Sequence, residues 1–167
     1  MSEPLVTYLN DHLGGAQIAV QLLEAMRDQN DDQDFRQFAS VLLPEIQADD
    51  QMLRHIVETI GSGPSGIKQL GGWLSEKAAR LKLGHTGSKD FELFESLEFL
   101  ALGVQGKLSL WKALRTAATQ DVRLLAYDFE SLIVRAQRQF DEVEGQRLKL
   151  AQSVLSPIAF NPASASC

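Results

Sequence analysis

Apolar residues recur along this chain at intervals of three and four, in five runs separated by breaks rich in glycine and aspartate. The most apolar run is Phe91 to Leu114. On a helical wheel Leu93, Leu97, Leu100, Ala101, Val104, Leu108 and Trp111 share one face. Phe91, Phe99, Leu102, Leu110 and Ala113, with Gly106 among them, share a roughly opposite face. Glu98, Gln105 and Lys112 form a polar stripe between the two. A helix that is apolar on two sides must be covered on two sides. This run is therefore predicted to be the central helix of a bundle, with Lys107 at its edge reaching out to solvent.

The other runs arrange themselves around it. Leu5, Leu9, Leu13, Ala16, Val20 and Leu23 predict a first helix from about Pro4 to Gln29. Gly14 and Gly15 inside it predict a close helix contact. Asn30 to Asp34 is a polar turn, and Asp34 with Gln37 has the spacing of a capping box. A second helix then runs to about Ile60 on Phe38, Val41, Leu42, Ile46, Leu53, Ile56, Val57 and Ile60, with a kink expected at Pro44. Gly61 to Gly66 reads as a loop and 67–83 as a short helix carrying Leu70, Trp73, Leu74 and Leu81. Gly84 to Ser88 is a break, with Ser88 as N-cap of the central helix. Asp121 to Tyr127 is a turn, and a last helix from about Asp128 to Leu155 sets Leu132, Ile133, Ala136, Phe140, Val143, Ala151 and Leu155 on one face. Residues 156–167, with Pro157 and Pro162, read as an irregular tail. The fold class predicted is all-α: one domain over 1–155, a ferritin-like four-helix bundle of two antiparallel hairpins with an extra short helix in a long crossover.

Composition narrows the function classes. A net charge of −6 argues against a nucleic-acid partner, which needs a net basic surface. No apolar run is long enough to span a bilayer. The start Met1-Ser2-Glu3-Pro4 lacks the basic and apolar segments of a signal peptide. The one cysteine, Cys167, permits no intrachain disulfide, which suits a cytoplasmic location. Lys77, Arg80, Lys82, His85 and Lys89 form a local basic patch that reads as a solvated face, and Trp73 and Trp111 read as core.

The stretches Tyr8 to Ala16, Arg80 to Leu83 and Leu100 to Trp111 resemble a bacterial family of uncharacterised ferritin-like helical proteins. The resemblance implies the bundle fold and carries no established activity. Di-iron proteins of ferritin-like fold use one Glu on each of two helices and Glu-x-x-His on the other two. Here Glu45 is followed three residues on by Ala48, Glu144 by Arg147, and the first helix offers Gln17. The complete ligand set is missing, so no resident metal is predicted. A degenerate or rebuilt site for iron or another divalent metal, with a redox or storage role, would have to draw on Glu45, Glu98, Glu144 and His12.

Register arithmetic suggests a polar core network of His12, Glu45, Asp49, Glu98, Gln105, Glu144 and Arg147. Folding the first hairpin about Asp31 sets His12 opposite Asp49 and Asp50, which would raise its pKa. Folding the second about Val122 sets Arg147 near Glu98, with Glu144 one turn away. A buried arginine would need those carboxylates. The chain therefore reads as a non-enzymatic bundle whose second apolar face on the central helix calls for a homodimer or another protein partner.

Overall fold

The computed structural model describes residues 4–60 and 88–156. Four long helices make up almost all of it: α1, Pro4–Gln29; α2, Gln33–Ile60; α3, Lys89–Ala117; and α4, Phe129–Val154. A single 3-10 turn, Val122–Leu124, joins α3 to α4. The described residues contain no strand. The short helix expected over 67–83 with Trp73, the loops flanking it, the tail from Pro157, and Lys77, Arg80, Lys82 and His85 of the basic patch lie outside the described residues.

The starts of α2, α3 and α4 each follow from a side chain that accepts from an otherwise unpaired backbone N–H. Ser88 Oγ accepts from the Phe91 N–H at 3.3 Å, as its position predicts. Asp128 caps α4 through the Ser131 N–H at 3.1 Å. At α2 the cap is Asp32, two residues before the expected Asp34: its Oδ1 accepts from the Asp34 N–H at 2.7 Å. Pro44 stands on the exposed side of α2, and the helix is continuous through it.

α1 packs along α2, α3 along α4, and α1 against α3. The predicted inner face of the central helix is buried throughout, and Phe94 joins it. On the opposite face Leu110 turns out to be buried, while Phe91, Phe99 and Leu102 are exposed. Two further positions expected on inner faces, Val41 and Leu155, are exposed; Ala39 and Leu43 are buried on α2 instead.

The core has two apolar parts. One gathers Leu9, Leu53, Ile56, Trp111, Leu124 and Phe129 near the turn between α3 and α4. The other gathers Leu23, Met26, Leu42, Ile46, Leu97 and Val143 toward the turn between α1 and α2. Between them, in mid-bundle, lies a layer of charge.

Candidate functional site

The layer is built from three helices. Asp49 on α2 is 3% exposed, and Gln139 on α4 is fully buried. Lys107 on α3 reaches inward between them. Its Nζ donates to Asp49 Oδ2 at 2.5 Å and to Gln139 Oε1 at 2.5 Å. Arg135 on α4 donates through Nη2 to the other Asp49 oxygen, Oδ1. Gln139 Nε2 donates onward to Glu45 Oε2 at 3.0 Å, and Arg138 Nη2 reaches the same oxygen at 2.7 Å. Helical spacing makes this possible: Glu45 and Asp49 are one turn apart on α2, as are Arg135 and Gln139 on α4. Both rows point into the same seam.

Electrostatics follow from burial. Withdrawal from water pushes the Lys107 ammonium below the usual lysine pKa, against the pull of Asp49. Burial alone would raise the Glu45 carboxyl, but hydrogen bonds from Gln139 and Arg138 outweigh it and hold the pKa low. Asp49 carries two cations on its two oxygens, which a buried carboxylate requires.

The expected network divides into three. Glu45 and Asp49 belong to the layer. His12 lines a cavity shared with Asp49, Asp50 and Lys107. It makes no hydrogen bond among the described residues and packs edge-on against Tyr8 at 4.7 Å. Its pKa is lowered, contrary to expectation, because burial outweighs the nearby charge of Asp11. Glu98, Glu144 and Arg147 do meet, but at the rim. Arg147 grips Glu144 through Nε at 2.8 Å and Nη2 at 2.6 Å and approaches Glu98 at 3.6 Å, while Glu98 is about half exposed. The arginine also lies 5.6 Å over the Phe94 ring. The predicted charge trio is therefore real but not buried. Gln105 is exposed and takes no part.

Lys107 was expected to reach solvent, and the opposite holds. Together with Arg135 and Gln139 it is a site residue that the charge pattern alone does not announce. A positional signal exists: Lys107 is seven residues after Leu100 and four before Trp111, on the buried stripe of α3. Gln139 stands in the same relation to Leu132 and Val143, and Asp49 to Leu42 and Leu53.

The donor set does not suit a ferritin-type metal centre. A metal needs free deprotonated ligands, and an ammonium or a guanidinium supplies none. Asp49 is held by Lys107 and Arg135, Glu45 by Gln139 and Arg138, and Glu144 by Arg147. Among the described residues no group of three or more His, Cys, Asp or Glu is placed to hold an ion. None of the described helices is long and apolar enough to cross a membrane. No protein family, curated protein or solved structure matches this chain.

Proposed function

We propose that this chain is a non-enzymatic helical-bundle protein that works by self-association through the outer side of α3. The observation that carries this reading is the exposure of Phe99, 48%, and Leu102, 63%, on a helix whose other side is wholly buried. Phe91 extends the same side toward the start of the helix, and Gly106 and Ala113 lie along it. Apolar surface of this kind marks a contact site. Offered to an identical copy, it closes as a two-fold dimer.

The bundle itself is read as ferritin-like and related to the bacterial family that its sequence resembles. Supporting this, Lys89 pairs with Asp31 at 2.6 Å and Lys107 with Asp49 at 2.5 Å, a constant step along both chains. α2 and α3 then run the same way, which is the relation expected where two antiparallel hairpins are combined in a ferritin-like bundle. The mid-bundle layer supports a structural role over a redox or storage one, because the Lys107 ammonium already supplies the cation between the carboxylates. A lone cysteine fits a reducing cytoplasm.

Sedimentation equilibrium at micromolar concentration tests the association. The wild type should sediment as a dimer and Leu102→Glu as a monomer with unchanged helical circular dichroism. A wild-type monomer at every concentration would defeat the proposal.

A further inference from the structure

The layer borders a cavity between α1, α2 and α3, and the cavity has the attributes of a binding site. Its volume is about 50 Å³, with His12, Asp49, Lys107 and Trp111 on its walls and apolar side chains such as Ile46 and Leu53 completing them. Of the lining residues Gly15 on α1 and Gly103 on α3 are exposed, so the cavity reaches solvent between those two helices. Packing does not explain these glycines: a Cβ at either position would meet no heavy atom within 4 Å. Each weakens a helix interior relative to alanine. What they do is keep side chains out of the mouth.

Among the lining residues, donors are in surplus. The Trp111 side chain is fully buried, and its Nε1–H finds no acceptor among the described residues. Lys107 has three N–H bonds and uses two, on Asp49 and Gln139. Neutral His12 can donate one more. The carboxylates on the walls are already matched, Asp49 by Lys107 and Arg135, Asp50 by Arg54 at 2.8 Å. An acceptor-only head group on a short apolar body answers all of these features. We propose that this cavity binds a short-chain carboxylate, which enters between Gly15 and Gly103 and is met by Lys107 and the Trp111 indole. With one water needing about 10–15 Å³, the space suits about four or five non-hydrogen atoms, the size of acetate or propionate. A ligand so small binds with a dissociation constant on the order of 1 mM.

The test is a titration of the 15N-labelled full chain with sodium propionate, reading the Trp111 indole N–H resonance, assigned by its persistence in Trp73→Phe. Sodium chloride at equal ionic strength and propionamide serve as controls. The expected result is a saturable shift with propionate only. In Gly103→Leu, or in Gly15→Leu should the first not fold, the midpoint should rise about tenfold or more as the mouth is blocked. A resonance that does not respond, an equal response to propionamide, or an unchanged midpoint in the blocked variant would overturn the assignment.

Discussion

Lys107 Nζ and Asp49 Oδ2 stand 2.5 Å apart at the centre of the bundle, with the lysine side chain 14% and the aspartate 3% exposed. The pair joins α2 to α3 across 58 residues of sequence and separates two apolar clusters. Arg135 completes it from a third helix.

Removing the shared anion should therefore cost more than removing one cation. Asp49→Asn strands Lys107 and Arg135 together, and a broken buried pair costs about 3–5 kcal/mol. Lys107→Met leaves Asp49 with Arg135 and frees one Gln139 acceptor, at about 1–3 kcal/mol. Urea denaturation of both variants gives the order, and a larger loss in Lys107→Met would contradict it.

The lowered pKa of Lys107 has a signed consequence. Between its folded value and the ordinary 10.5 the unfolded chain binds more protons, so from this group alone stability rises with pH across that window. The stability difference between wild type and Lys107→Met should change accordingly as pH climbs toward 10.5, shifting in favour of the wild type. A constant difference would show that Lys107 is not desolvated.

His12 titrates in the same sense at lower pH. Its folded pKa lies below 6.5, so it contributes a loss of stability as pH falls below 6.5. A proton NMR titration should give a midpoint under 6.5; a midpoint above it would mean that an acid partner dominates burial.

The rim trio predicts a small effect where a buried trio predicts a large one. Arg147→Leu removes a partly exposed pair and should cost about 1 kcal/mol or less. A loss near that of Asp49→Asn in the same urea series would place Arg147 functionally in the core.

How much of this was legible in the sequence depends on what each pattern reports. Periodicity reports which face is buried, and the inner face of α3 from Leu93 to Trp111 was readable residue by residue. Hairpin arithmetic reports register, and it brought Glu98 to Arg147 and His12 to the cavity shared with Asp49. Neither reports depth: Arg147 at the rim and Lys107 in the core are equally polar letters. The difference is that Lys107 sits on the stripe Leu100, Val104, Trp111, and its long aliphatic stem, which could equally reach outward, is drawn in by two acceptors from other helices. Leu110 shows the converse, buried by neighbours that the wheel of its own helix does not include.

With Lys107 as the cation of the mid-bundle layer, Glu45 and Asp49 are expected to hold no metal. Elemental analysis tests this most directly. The protein would be produced in medium supplemented with iron, manganese and zinc and purified without chelators or a nickel column. Far less than one equivalent of any of these metals per chain is expected, in wild type and in Glu45→Gln alike. One or more equivalents in the wild type, lost in Glu45→Gln, would contradict this.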